Sequence, residues 1–199
     1  MEPSAIRFET LSGDALRAWL PRLAGLRIAV FREWPYLYDG DPGYEERYLA
    51  AYAQSPGAAV IAAVDGERAV GCATCQPMRE ATPRVREAFL SRGLDPVRWC
   101  YFGESVLLPA YRGRGIGVRF FALREAHARA LGLAAAAFCA VTRNETDPRR
   151  PADYVPLDAF WRRRGYEPRP DISVIFEWKE VGEDRETPHA LGFWVKDPL

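Results

Sequence analysis

The sequence predicts a mixed α/β fold, with helices flanking one central sheet. Three observations point there. Residues 58–64 and 68–76 read as strands joined at Asp65-Gly66, a strong hairpin signal. An apolar strand ending at Leu107-Leu108 runs into an Arg/Gly-rich turn that opens a helix near Gly115. Apolar residues recur at helical spacing near the N-terminus and alternate as in a half-buried strand near the C-terminus.

Taken in order, residues 6–11 predict a short opening strand. Over 14–34 the apolar positions 16, 19, 20, 23, 26, 30 and 34 trace a helical stripe, with a break expected at Pro21. Residues 34–44 form a loop rich in aromatics and turn formers, and 44–53 a second helix. The hairpin follows. Thr82-Pro83 then starts a short helix (Val85, Ala88, Phe89) that stops at Gly93. Residues 98–108 are the strand feeding the turn. The next helix runs to about Leu131, with Ile116, Phe120, Leu123, His127 and Ala130 on one stripe. A strand at 133–141, a proline-broken loop at 143–155 and a helix at 157–164 ended by Gly165 come next. Ile172, Val174, Phe176 and Trp178 alternate as a strand, and 191–196 is a last one.

The turn Pro109-Ala110-Tyr111-Arg112-Gly113-Arg114-Gly115-Ile116-Gly117 carries the chemistry. Peptide N–H groups at the positive end of a helix suit a phosphate, and glycine lets the phosphate approach the backbone. A Walker A loop needs a Lys-Ser or Lys-Thr pair after the glycines, and there is none. A dinucleotide fingerprint from Gly113 or Gly115 needs glycine where Val118 or Phe120 stands.

What remains is Arg-x-x-Gly-x-Gly, from Arg112 through Gly115 to Gly117. With the preceding Glu104-Ser-Val-Leu-Leu-Pro-Ala-Tyr-Arg and the later Phe160-Trp-Arg-Arg-Arg-Gly-Tyr, it resembles the GNAT superfamily of acyl-CoA-dependent N-acyltransferases. The likeness is close over 99–166 and loose elsewhere. It implies a mixed, mostly antiparallel sheet whose parallel strands four and five splay apart, within a single domain over 1–199. A helical segment at 79–97 and a long loop at 143–155 depart from the family's short connections. They either wall the acceptor site or elaborate the surface.

The resemblance implies acetyl-CoA as co-substrate. Leu107 and its neighbours would offer main-chain groups to pantetheine. The amides of Gly113, Arg114, Gly115, Gly117 and Val118 would hold the pyrophosphate, with charge from Arg112 and Arg114. Asn144 follows strand five, where a cofactor contact is common in the family; a turn-forming role is the alternative. The reaction it implies is direct attack of a primary amine on the thioester. Glu104 is the candidate base, and a glutamate needs burial or a water relay for that work. The family's usual acid is a tyrosine where this chain has Trp161, whose indole is no acid. Tyr154 is the candidate substitute, unless the thiolate leaves unaided. In the loop 34–44, Tyr36, Tyr38, Asp39 and Asp41 are candidates for holding a cationic acceptor.

Bulk properties narrow the class. The chain has 199 residues, 48% of them hydrophobic, enough for a full core. Its 27 basic and 27 acidic residues leave a formal charge of +0, so no general pull toward nucleic acid or anionic membrane is expected. No apolar stretch matches a membrane span, and Met-Glu-Pro-Ser lacks the basic-then-apolar layout expected of a signal peptide. A cytoplasmic location is expected. Cys72 and Cys75 form C-x-x-C, but their odd separation on a strand sends them to opposite faces. They read as inert thiols, as do Cys100 and Cys139, and no metal is expected. His127 reads as a packed histidine.

The leading reading is transfer to a small-molecule or amino-acid-like amine. Modification of a protein N-terminus or lysine, and a non-catalytic acyl-CoA sensor, are the alternatives. A homodimer stays open.

Overall fold

The structure is a computed structural model and describes residues 5–199. Its strands are β1 (Arg7–Leu11), β2 (Ala59–Asp65), β3 (Arg68–Pro77), β4 (Trp99–Leu107), β5 (Ala135–Val141), β6 (Glu167–Lys179) and β7 (Glu186–Lys196). Its α-helices are α1 (Gly13–Phe31), α2 (Pro42–Gln54), α3 (Pro83–Leu90), α4 (Ile116–Ala130) and α5 (Asp158–Arg162). The strands form one sheet in the order β1-β2-β3-β4-β5-β7-β6. Neighbours are antiparallel throughout, except the parallel pair β4–β5.

That exception opens the sheet. β4 and β5 pair only at Trp99↔Ala135, Cys100↔Ala136 and Tyr101↔Ala137. Beyond these rungs β4 stays with β3 as far as Leu107, while β5 stays with β7 as far as Val141. The two strands therefore diverge, and the sheet opens between them.

Helices cover both faces. On one, α4 packs Ile116, Phe120 and Phe121 against Cys75, Cys100 and Phe102. On the other, Leu16, Leu23 and Leu26 of α1 and Leu49 and Tyr52 of α2 cover Val60, Cys72 and Val106. Cys72 and Cys75 thus lie in cores on opposite faces, and all four cysteines are buried and unbridged. His127 is a packed histidine whose Nε2 lies 2.9 Å from the Gly57 carbonyl oxygen. Among the described residues, no helix is long and apolar enough to cross a membrane.

Several boundaries differ from the sequence reading. Helix α1 runs unbroken through Pro21. Leu16, Leu23 and Leu26 bury one stripe on both sides of the proline, while Pro21 and Arg17, four residues before it, are exposed. Water can satisfy the Arg17 carbonyl that loses its amide partner, so tertiary packing overrides the break. β6 and β7 begin earlier than alternation suggests, because hairpin pairing carries them out to Lys179↔Glu186 and back to Glu167↔Val195. The segment 79–97 does contain a helix, α3. Its Phe89 packs on Trp99 and Phe193 at ring distances of 5.2 and 5.1 Å. That is beside the first β4–β5 rung, the closed end of the opening, so this segment does not wall its mouth.

Candidate active site

The opening between β4 and β5 is equipped at two levels: a backbone turn at the end of β4 and a side-chain cluster within it. The turn comes first. After Leu107, a short 3-10 turn at Pro109–Tyr111 leads into α4, whose N-cap is Gly115 with φ 78°. Gly113 has φ 75°. A side chain disfavours this left-handed backbone, which glycine adopts freely. A Cβ at Gly113 or Gly115 would meet nothing within 4 Å. Among the described residues, no backbone carbonyl or side chain accepts a hydrogen bond from the amides of Gly113 to Val118. Open space, positive φ and uncommitted N–H groups at a helix start together fit a diphosphate.

The other residues at the turn have definite partners. Arg112 donates from Nε to the Leu107 carbonyl (3.2 Å) and from Nη2 to Glu33 (2.8 Å), linking the turn to the end of α1. Arg114 lies over the Tyr111 ring at 5.1 Å, and Tyr111 donates to Asp65 at 2.8 Å. Gly117 serves packing, since a Cβ there would approach Phe160 to 3.2 Å. Val118 is exposed. Asn144 accepts at Oδ1 from the Thr146 amide (3.0 Å) and hydroxyl (2.9 Å), so it shapes its own turn.

The second level depends on a bulge. Between Ala73↔Ser105 and Cys75↔Phe102, β4 carries one more residue than β3. The extra residue shifts the alternation, so Glu104 and Val106 turn to the α1–α2 face. Gly103 sits in the bulge, where a Cβ would overlap Tyr52 Oη and Thr74 Oγ1. The Thr74 hydroxyl accepts from the Glu104 amide (3.1 Å). Buried Arg124 of α4 donates to the Thr74 and Glu104 carbonyls (3.4 and 3.3 Å), meeting polar groups that the ladder leaves out.

Glu104 is 8% exposed. Its Oε2 accepts from the Tyr48 hydroxyl at 3.0 Å, and its Oε1 lies 2.5 Å from Arg27 Nη1. Arg27 is itself buried and donates through Nε to the fully buried Glu45. Burial opposes the Arg27 charge, but Glu104, Tyr48 and Glu45 outweigh it and hold the guanidinium charged well above its ordinary range. Tyr52 Oη lies 3.3 Å from Tyr48 Oη. Burial, with Glu104 nearby, pushes the Tyr48, Tyr52 and Tyr101 hydroxyls up, so they stay protonated. Tyr101 contacts Cys139 of β5 at 3.3 Å, just past the last shared rung, and burial raises that thiol to about 11.

Two loops close over this cluster. In the first, Tyr36 packs on Phe31 and Trp178 at 4.5 and 5.8 Å. Its carbonyl accepts from Trp178 Nε1 and Arg143 Nη2, both at 3.0 Å. Burial, with Cys139 and Glu104 close by, raises its hydroxyl. Tyr38 bridges Glu180, and burial together with Glu45 raises its hydroxyl as well. Asp39 is held by Arg32 (3.1 Å) and Lys179 (2.7 Å). Asp41 caps α2, accepting from the Tyr44 amide at 2.7 Å. In the second loop, Tyr154 stands edge-on to Trp34 at 6.1 Å and under Arg150, and burial raises its hydroxyl. Buried Glu180 joins the loops through Arg143 and Arg149. Trp161 lies elsewhere, packed on Trp194 and Phe138 at 5.0 and 5.1 Å.

Arg27, Glu45 and Tyr48 were not legible as site residues. The helical stripe passes Arg27 by, and only the meeting of α1, α2 and β4 brings the three together.

Comparison with known proteins agrees with this architecture. Residues 26–150 match the model of the acetyltransferase (GNAT) family. The chain belongs to that family and is an acetyl-CoA-dependent N-acetyltransferase. No curated protein matches it significantly in sequence. Among solved structures it is similar to a ribosomal-protein-alanine N-acetyltransferase from Brucella melitensis. The TM-score is 0.61 at 17% identity, covering 97% of this chain and 99% of that one. It is also similar to the PaiA N-acetyltransferase of Thermoplasma acidophilum in complex with coenzyme A. That match has a TM-score of 0.58 at 12% identity, covering 97% and 99% of the two chains. A third is AAC(6')-Iy in complex with the bisubstrate analogue CoA-S-monomethyl-acetylneamine. Here the TM-score is 0.51 at 17% identity, over 72% of this chain and 83% of that one.

Proposed function

We propose that the protein acetylates a primary amine on a small, amino-acid-like acceptor, with Glu104 as the base. The observation that carries this is the dual use of β4. One strand ends in the amide-rich turn and, three residues before Leu107, presents a buried carboxylate on the rim of the opening.

Acetyl-CoA, when bound, supplies the activated acetyl carbonyl. The amides of Gly113, Arg114, Gly115, Gly117 and Val118 hold its diphosphate, with Arg112 and Arg114 supplying positive charge alongside. Main-chain groups of β4 near Leu107, on the edge that β5 leaves, orient the pantetheine arm and polarise the carbonyl. Glu104 takes a proton from the attacking amine, directly or through a water. Tyr154 stays protonated and donates to the departing sulfur. Tyr36 and Tyr38 present ring faces to a cationic acceptor.

The small acceptor is favoured by the way the loops meet. Trp34 abuts Tyr154, and Arg143 donates to the Pro35 carbonyl at 2.6 Å, so the acceptor side is walled. A protein acceptor asks for an open groove.

Free-thiol release from acetyl-CoA across a panel of amines, amino acids and peptides tests the reading. With an active amine, Glu104→Gln is expected to lower kcat by about 100-fold or more, with coenzyme A affinity unchanged. Unaltered turnover removes Glu104 as base. Release on peptides alone removes the small acceptor, and tight binding without release on any acceptor supports a sensing module.

A further inference from the structure

We propose that Arg27 is a positioning residue for the reaction: it sets the orientation and the charge of Glu104. The inference rests on the reading of Glu104 as base and deepens it.

The geometry is specific to this role. Arg27 comes from the last third of α1, ahead of the loop 34–44, and divides its fork between two carboxylates. Nε donates to Glu45 of α2, and Nη1 lies 2.5 Å from Glu104 Oε1. Its guanidinium packs over the Tyr48 ring at 4.3 Å and the Phe31 ring at 5.0 Å. The same Tyr48 donates to the other oxygen of Glu104. Glu104 is therefore held at Oε2 by a hydrogen bond from Tyr48 and paired at Oε1 with the Arg27 charge, and these two partners stack on each other. A planar, always-charged fork suits this task, and lysine cannot reproduce it.

The surroundings make Arg27 the group that decides the charge of Glu104. From α2, Tyr48 and Tyr52 face the carboxylate, and Glu45 shares its Arg27 partner. Tyr101 faces it from β4, Cys72 from β3 and Tyr36 from the first loop. Each of these is neutral or anionic. Arg124 approaches from α4, but its guanidinium donates to main-chain carbonyls and lies over Phe102 at 4.3 Å. Without Arg27, two buried carboxylates would share a low-dielectric site with no cation on either. A protonated carboxyl is then favoured, and a protonated Glu104 cannot take a proton from the amine.

The test is the pH profile of kcat/KM with one amine for the wild type, Arg27→Met and Arg27→Lys, alongside coenzyme A affinity by calorimetry. Arg27→Met is expected to move the acid limb to higher pH and to lower kcat at neutral pH by about tenfold or more. Coenzyme A should bind within about twofold of the wild type. Arg27→Lys keeps the charge and loses the fork, so its limb stays in place while kcat falls. A folded Arg27→Met protein with an unmoved limb overturns the inference. So does coenzyme A binding that weakens as much as turnover. If the methionine variant does not fold, the lysine variant decides: wild-type kcat, or a displaced limb, overturns it. An active Glu104→Gln protein sinks the parent reading. An inactive one, with the limb unmoved in Arg27→Met, sinks only this inference.

Discussion

The turn at 113–118 and the cluster around Glu104 lie close together in sequence, at the end of β4 and just beyond it, and are built on opposite plans. The turn is exposed and, in the proposed role, acts through peptide N–H groups. Gly113 and Gly115 touch nothing with their missing side chains, and Arg112 and Arg114 reach away to Glu33 and Tyr111. The cluster is buried and acts through side chains from α1, α2 and β4, each locked by the next. As the proposed phosphate site, the turn is expected to tolerate change around it and to fail at the backbone. As the proposed base, Glu104 is expected to fail when any supporting element shifts.

The sharpest way to break this contrast is at Gly103. Gly103→Ala puts a methyl group against Tyr52 Oη and Thr74 Oγ1, both packed under Glu104. Overpacking there is expected to cost about 1–3 kcal/mol of stability, read as a lower Tm. A displacement of about 1 Å in the base is expected to lower kcat by roughly 100-fold. Coenzyme A affinity should hold, because the turn lies beyond the bulge. A loss confined to coenzyme A binding would show that the two regions are not separable in this way.

Gly115→Glu is the reciprocal change. A side chain at φ 78° is strained, and this one adds negative charge where the amides converge. Coenzyme A affinity is expected to drop at least about tenfold, with Glu104 and its partners undisturbed. Normal binding by calorimetry would contradict the phosphate assignment.

The same contrast explains what the sequence made legible. The turn is local: Arg112, Gly115 and Gly117 fall within six consecutive positions, and their spacing alone distinguishes them from two other phosphate loops. The parallel pair and its opening followed from the family likeness that this turn anchors. Glu104 became the candidate base because it lies three residues before Leu107 on the strand beside the gap, where the family likeness implies a carboxylate. Arg27 and Glu45 lie 77 and 59 positions before Glu104 and meet it only through the packing of α1 and α2 on the sheet. The bulge that aims the carboxylate gives no sign beyond a single glycine. Pro21 misled for the converse reason: a strong local signal lost to a buried stripe on either side of it.

Tyr154 and Trp161 allow a finer separation. Tyr154→Phe removes the candidate donor's hydroxyl while keeping the ring against Trp34. General acids contribute up to 100-fold or more, but a thiolate departs with little help, so a fall in kcat of about fivefold is expected. Rates for acetyl donors with leaving thiols of different basicity check this. The loss should grow with more basic thiols, and a loss that is the same for every thiol would remove Tyr154 as donor.

The smallest effect is expected at Asp39, and it tests where the acceptor loop ends as a binding surface and begins as an anchor. In sequence, Asp39 sits with Tyr36 and Tyr38 as a ligand for a cationic amine. In the structure its Oδ1 belongs to Arg32 and its Oδ2 to Lys179, and hydrogen bonding to Lys179, then Arg32, holds the carboxyl below its ordinary range. Its main-chain N–H donates to the Lys179 carbonyl at 2.8 Å, a bond that no side-chain change removes. Exposed ion pairs of this kind contribute little. Asp39→Asn should therefore leave the acceptor KM within about twofold of the wild type, while Tyr36→Ala raises it. Since the folded carboxyl is the more acidic, the small stability it adds is present above the unfolded carboxylate range and fades as pH falls through the folded one. A large KM effect in Asp39→Asn, with Tyr36→Ala near the wild type, would place the acceptor on the anchored side of the loop, against Lys179 and not against Glu104.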